Sequence, residues 1–461
     1  MKLSQLKTKL EQKDLKNVRE IRKEFKHTKK IALYGKSTKS SLDSMKIIGI
    51  TGSCGKSTTA YIVHEYLKSL GYKSVLYSST TVDSPASHIM KNESFETAVK
   101  SEDSLLGIIN EAEAYGAEYL VLEINETVLE KELVKDVPFD VRVLTNLNPK
   151  HNEEQYSAEE YIAIKKSFFE NLPSDKECKC VIGIQDNFRR LFKEMLELND
   201  CEKLVFSSNY IANVNGLNPN DITCLLYDLD STLDGLKMKV LANGVSYELE
   251  TKVMMAYNAF NFVGAMTVLE ALGVLNVDKF KKCIKDIKIP GRVETYKVNG
   301  RLIVIDNHLP KLLECLQSFK DRCLIKKIRV VVGSMGTGFK YWDERFKTSL
   351  FVSKRREMRK YAMDLLKDYA DYVYLTEDDN AAESVESICQ ELQGYLNNEV
   401  PSTIVPDRSK AIKKAMEESE VNDVIFISGR GNRRKLCDSS TTIKFVKDAE
   451  VVEKVIIDLG W

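Results

Sequence analysis

Residues 51–59, Thr-Gly-Ser-Cys-Gly-Lys-Ser-Thr-Thr, put two glycines, a lysine and a run of hydroxyls between an apolar strand (46–50) and a helix (58–70). Such a turn can hold a polyphosphate. Gly52 and Gly55 let backbone N–H groups approach the phosphates, and the N-terminus of the helix, entered at Thr58, favours an anion. Lys56 would reach the terminal phosphates and Ser57 would hold Mg²⁺. The full Walker spacing is not met, because Ile50 stands at its first glycine. Further on, Glu123 closes the apolar run 119–122. A carboxylate at the carboxyl end of a parallel strand points into the crevice where ligands bind. Nucleotide binding is the chemistry these positions predict.

The elements that must position them alternate. Strands are predicted at 46–50, 74–77, 119–123 and 141–145, with helices at 58–70 and 105–115 between them, the pattern of a parallel sheet with right-handed crossovers. The stretch 223–247 reads as antiparallel, with Asn243-Gly244 as its hairpin turn. After Ile289-Pro290-Gly291 the alternation restarts, with strands at 302–305, 329–332, 372–375 and 424–427. The fold class is α/β: a central P-loop ATPase domain (46–290) with a mostly parallel sheet, then a C-terminal Rossmann-like α/β domain (291–461). Residues 1–45 form a short basic segment, read as a helix plus a strand at 30–34. The first 46 residues carry 14 Lys/Arg against 5 Asp/Glu, with Leu3, Leu6, Leu10, Val18, Ile21 and Phe25 at near-helical spacing.

Composition removes other classes. The 461 residues contain 68 Lys+Arg and 68 Asp+Glu, so the chain lacks the basic field of a nonspecific nucleic-acid binder. No apolar run reaches the ~18 residues of a membrane span, and the N-terminus lacks the apolar centre of a signal peptide, so the expected compartment is the cytosol. Ten scattered cysteines do not suggest a disulfide framework, and Cys178-x-Cys180 with Cys201 lacks the partners of a zinc site.

The loop T-G-x-x-G-K-[ST]-[ST]-[ST] without the first Walker glycine resembles the start of the Mur ligases and of their folylpolyglutamate and cyanophycin synthetase relatives. The likeness continues in order. Thr145-Asn146-Leu147-Asn148-Pro149-Lys150-His151, followed by Tyr161-x-x-x-Lys165, is similar to the family's T-N-L-x-x-D-H and the Y-x-x-x-K helix after it. The resemblance implies that Glu123 and His151 ligate Mg²⁺ and that Lys165 is carbamylated into a carboxylate-like metal ligand. It implies further that Asn258 and Asn261 lie near the nucleotide base, with helix capping by Asn as the alternative. Arg292 of Pro290-Gly291-Arg292-Val293-Glu294 would reach the nucleotide from the domain junction, and Asp306 would contact it.

In the C-terminal part, Thr376–Ala382 and Ile427–Asn432 are similar to segments of the UDP-N-acetylmuramoyl-tripeptide synthetase branch, which implies substrate contacts at Asp379, Asn380, Gly429 and Arg433. The departures bear on substrate. Lys150 stands where the family has Asp. Ala382 stands where the diaminopimelate enzymes have an Arg that pairs with a distal carboxylate, and Arg433 stands where they have Glu. Arg for an acid disfavours a cationic side-chain amine and favours an acidic group. About 45 residues precede the loop, where the branch carries a uridine-binding domain. A UDP-sugar would then be gripped by a reduced basic segment or be absent.

The resemblance implies an ATP-dependent carboxylate–amine ligase. A carboxylate attacks the γ-phosphorus, an amino group attacks the acyl phosphate, and an amide, ADP and phosphate result. The first expectation is a divergent muramyl-peptide ligase of cell-wall precursor synthesis, acting on a UDP-linked peptide and an amino acid. The alternatives are a ligase for a non-UDP carboxylate of polyglutamate or folate type, and a non-catalytic ATP-binding partner protein.

Overall fold

The structure is a computed structural model that describes residues 45–84, 101–148, 156–170, 177–185, 189–306, 320, 325–337, 349–380, 383–430, 435–437, 442–444 and 446–461. The N-terminal segment 1–44, Lys150, His151, Ala382 and Arg433 lie outside the described residues.

The first sheet has ten strands: β1 (Lys46–Thr51), β2 (Ser74–Tyr77), β3 (Val82–Asp83), β4 (Tyr119–Glu123), β5 (Val141–Leu144), β6 (Lys179–Ile184), β7 (Lys203–Ser208), β8 (Cys224–Thr232), β9 (Gly235–Ala242) and β10 (Val245–Thr251). Their order is β10-β9-β8-β7-β6-β5-β1-β4-β2-β3. From β2 through β8 the neighbours run parallel, while β3, β9 and β10 pair antiparallel. Central strands alternate between two buried faces, as a sheet covered on both sides requires. Ile48 and Ile50 of β1 pack with Val63, Tyr66, Phe262 and Met266, from α1 (Lys56–Ser69) and a helix further along the chain, Asn258–Ala271. Ile47 packs on the other face with Leu120, Leu122, Phe139 and Phe168. That second face is covered by α2 (Glu102–Ala114), the short α3 (Glu126–Glu130) and α4 (Ala158–Glu170). The Asn243-Gly244 turn joins β9 to β10 with both residues at positive φ, 49° and 76°, the form such a two-residue hairpin needs.

The second sheet has the order β11-β12-β16-β13-β14-β15. Its strands are β11 (Glu294–Val298), β12 (Arg301–Asp306), β13 (Ile328–Val332), β14 (Tyr372–Leu375), β15 (Ser402–Ile404) and β16 (Val424–Ser428). Apart from the β11–β12 hairpin it is parallel. Val304, Val330, Val373 and Phe426 fill one face; Ile303, Val331, Tyr374 and Ile425 fill the other. Met254 and Met255, from the segment just before the helix Asn258–Ala271, belong to the first of these cores.

Some predicted boundaries move for local reasons. The first helix begins at Lys56 rather than Thr58, because Gly55 caps it in the left-handed region at φ 80°, so Lys56 and Ser57 already lie in its first turn. Strands β6 and β7 are additional to those read from the sequence. Cys178, Cys180 and Cys201 are free thiols near the buried Arg142, whose guanidinium lies 5.1 Å and 5.4 Å from the ring centroids of Phe168 and Phe139.

Candidate active site

The loop between β1 and α1 is moulded by the residues that follow β5. Thr145 Oγ1 donates to the Cys54 carbonyl at 2.6 Å. Asn146 accepts from the Cys54 N–H at 2.9 Å through Oδ1 and from the Ser53 N–H at 3.1 Å through its carbonyl. The glycines are required by contact as well as conformation. A Cβ on Gly52 (φ 146°) would lie 2.0 Å from Thr145 Oγ1, and one on Gly55 (φ 80°) 2.2 Å from Asn261 Oδ1. The end of β5 and the helix Asn258–Ala271 thus clamp the loop into one shape.

Lys56 Nζ folds back onto the loop, donating to the carbonyls of Gly52 at 2.9 Å and Ser53 at 3.3 Å. Thr58 is buried in the same turn. The Ser57 hydroxyl pairs with Ser79 Oγ at 2.9 Å and accepts from Arg292 Nη2 at 3.4 Å. Glu123, buried at the end of β4, accepts the Ser79 N–H at 2.7 Å. Ser57 and Glu123 therefore converge on Ser79, giving hydroxyl and carboxylate oxygens of the hard-donor type that suits Mg²⁺. The donor set and the glycine cradle fit a magnesium–nucleotide.

Beneath the loop lies a second group. Lys165, fully buried on α4, is 2.6 Å from Glu126 Oε1 and donates to Thr51 Oγ1 at 2.9 Å. Glu126 also lies 3.8 Å from Lys56 Nζ and accepts from the Tyr161 hydroxyl at 3.2 Å. Burial pushes the Glu126 carboxyl upward, but Lys165 and Lys56 together outweigh it and hold the group below the usual carboxylate range. Burial draws Lys165 down to about 8 against the opposing pull of Glu126. Burial and then Glu126 push the Tyr161 phenol up. The lysine that the resemblance marks for carbamylation is thus held in an ion pair with the Glu126 carboxylate.

Of the two readings of Asn258, helix capping is the one that the structure excludes. Asn258 does not cap its helix, since Tyr257 is the capping residue and makes no side-chain cap bond. Its Nδ2 donates instead to the Met254 carbonyl at 2.8 Å, and its Oδ1 accepts from Asn261 Nδ2 at 2.9 Å. Asn261 in turn abuts Gly55, so the pair packs against the phosphate loop. Asp306, buried at the end of β12, accepts from the Tyr257 hydroxyl at 3.2 Å.

A separate cluster forms at the carboxyl ends of β14 and β16. Asp379 N–H donates to Asp378 Oδ1 at 2.8 Å, and Asn380 Nδ2 donates to the Glu383 carbonyl at 2.8 Å. Gly429 abuts the Asp378 carboxylate. Arg430 Nη2 lies 3.2 Å from Glu377 Oε1, and the buried Arg408 pairs with Asp448 at 2.8 Å while donating to the Ser428 carbonyl at 2.8 Å. The guanidiniums of this cluster are thus matched by carboxylates of the chain itself.

Pattern reading missed Ser79 and Glu126. The run Ser78-Ser79-Thr80-Thr81 directly after a parallel strand was a usable signal for the first. Glu126 carried a weaker one, three residues beyond Glu123, where Asn125 caps α3 by accepting the Val128 N–H.

Comparison with known proteins identifies relatives of the chain. The model for the Mur ligase middle domain matches residues 50–269, and that for the Mur ligase, glutamate ligase domain matches residues 291–431. The UDP-N-acetylmuramyl-tripeptide synthetase of Bifidobacterium longum is 24% identical over 436 residues, spanning 90% of this chain and 77% of that protein. The UDP-N-acetylmuramoyl-L-alanyl-D-glutamate–2,6-diaminopimelate ligase of Helicobacter pylori is 25% identical over 421 residues, spanning 90% of this chain and 85% of its own. The Mycobacterium tuberculosis folylpolyglutamate synthase structure complexed with ADP and AMPPCP aligns with a TM-score of 0.62 at 16% identity, over 87% of this chain and 90% of that one.

Proposed function

The chain belongs to the Mur ligase family, and from that membership we propose that it is an ATP-dependent, ADP-forming ligase that joins a carboxylate to the amino group of an amino acid. The observation that carries this reading is the clamped glycine loop with Lys56, Ser57, Glu123 and Ser79 gathered at its mouth and Arg292 reaching it from the start of the second α/β unit. The unit boundary belongs near residue 290, where the chain passes from one sheet to the other.

The loop N–H groups and Lys56 would bind and orient the triphosphate, leaving its γ-phosphorus open to in-line attack by the acceptor carboxylate. Lys56 would then leave its present carbonyl contacts for phosphate oxygens. Ser57 and Glu123 would hold Mg²⁺, which supplies neutralisation of phosphate charge. His151 is proposed as a further ligand on the resemblance alone. Arg292 and Asp306 would meet the nucleotide from the second unit, while Asp379, Asn380, Gly429 and Arg433 would present the amine. A ligase consuming ATP in this way works where ATP is held, in the cytosol.

We take the acceptor to be a UDP-linked muramyl peptide of cell-wall precursor synthesis, on the strength of the two relatives above. A second reading, a folate- or polyglutamate-type carboxylate, draws on the 90% coverage of the folylpolyglutamate synthase. The test is phosphate release from Mg-ATP with each UDP-muramoyl peptide and each amino acid supplied in turn. Turnover needing both establishes the cell-wall reading; turnover only with a folate or glutamyl acceptor replaces it.

A further inference from the structure

Carbamylation of a lysine consumes its neutral amine and CO₂, forms one N–C bond and releases one proton. The product keeps a single N–H and carries a negative charge. Lys165 Nζ has two acceptors to satisfy, Glu126 Oε1 at 2.6 Å and Thr51 Oγ1 at 2.9 Å, and it is fully buried. A carbamate could donate to only one of them. Glu126 would keep only the Tyr161 hydroxyl and the more distant Lys56 as partners, and a second negative charge would be added beside it in a buried environment.

Charge leads to the same result. Lys56 and Lys165 are two cations and Glu123 and Glu126 two anions, so the group under the loop is neutral with an ammonium at Lys165. A carbamate would leave Lys56 as the one cation against three anions within that group of four, before Arg292 or a bound Mg²⁺ is counted. The lysine's remaining surroundings, the Tyr161 ring with its centroid 5.5 Å away, also favour a cation.

We propose that Lys165 works unmodified, as an ammonium whose counter-charge is the encoded carboxylate of Glu126. Glu126 is then a positioning residue: it ties α4 to the end of β1 through Lys165 and Thr51, and it holds Lys56 in line with the loop. The inference rests on the ligase reading of the same site, but the chemical state of Lys165 is read by mass rather than turnover.

Native protein is equilibrated with ¹³C-bicarbonate, treated with a trialkyloxonium reagent that esterifies carbamates, digested and mapped by mass spectrometry. The α-amino group of the same chain, which forms carbamates freely, reports that trapping worked. The expected result is an unlabelled peptide at Lys165 beside a labelled N-terminus. An ester-labelled Lys165 overturns the proposal, whatever the protein ligates. Where phosphate release is measurable, it should be equal in CO₂-free and bicarbonate-supplemented buffer. A loss on CO₂ removal that bicarbonate restores would also overturn it.

Discussion

Arg292 donates a hydrogen bond to the hydroxyl of Ser57 across 235 positions of sequence, at 3.4 Å. One residue opens the phosphate-binding helix and the other opens the second α/β unit. The proposed nucleotide site therefore draws on residues of both units, and the first measurements should address the loop at its centre.

Gly55→Ala places a methyl group against Asn261 Oδ1 and forces a left-handed backbone on a residue with a Cβ. The backbone term alone is about 1–2 kcal/mol, enough for about tenfold weaker ATP binding. Isothermal titration with a non-hydrolysable ATP analogue should register at least that loss while circular dichroism stays native. Unchanged affinity would mean that the nucleotide does not use this loop.

Lys56→Ala removes the cation nearest the loop carbonyls and adjoining Glu126. By analogy with loss of one preorganised donor at a developing charge, phosphate release should drop on the order of 10²–10³-fold. A steady-state assay at saturating ATP separates this from a binding defect, because the loss should persist in kcat.

Glu126→Gln leaves the Lys165 cation buried against a neutral partner. Breaking one side of a buried ion pair typically costs about 3–5 kcal/mol, and the urea midpoint should fall accordingly. Replacing both, as Glu126→Gln with Lys165→Met, should recover part of the loss. Additive losses in the double variant would show that the two side chains do not act as a pair.

Asp83 provides a pH dependence. Its carboxyl is held below the ordinary range by the hydrogen bond from His64, 3.0 Å away, against the opposing effect of burial and with help from Lys68 at 2.7 Å. A carboxyl lowered on folding stabilises the protein above its unfolded pKa of about 4, and that contribution disappears as pH falls through the folded value. Because the side chain is 44% exposed, about 1 kcal/mol is the appropriate scale. Asp83→Asn should thus be less stable at pH 7, with the gap to the native protein narrowing below pH about 4. Denaturant midpoints at both pH values decide it; a constant gap would remove the electrostatic explanation.

The phosphate loop and its flanking elements were legible because their signals are local: apolar strand, glycines, Lys-Ser-Thr, helix. Strands β6 and β7 were harder, being short apolar runs whose periodicity does not separate a buried strand from part of a buried helix. Glu126 was hidden for another reason. Its partner Lys165 is 39 positions away on a different helix, and only the packing of α4 beneath β1 brings the two together. The capping alternative for Asn258 fails because local bonds to the Met254 carbonyl and to Asn261 claim both ends of the amide.

Met255 sits at φ 76° although it bears a side chain, and with Met254 it completes the apolar core of the second sheet from within the chain of the first. A fragment cut at residue 291 would consequently lose two plugs from its interior, and a fragment ending there would display them to water. Attempts to express the halves separately should yield sticky, poorly cooperative products that regain solubility when co-produced. A cut at the boundary between the two sheets would here sever a shared interior.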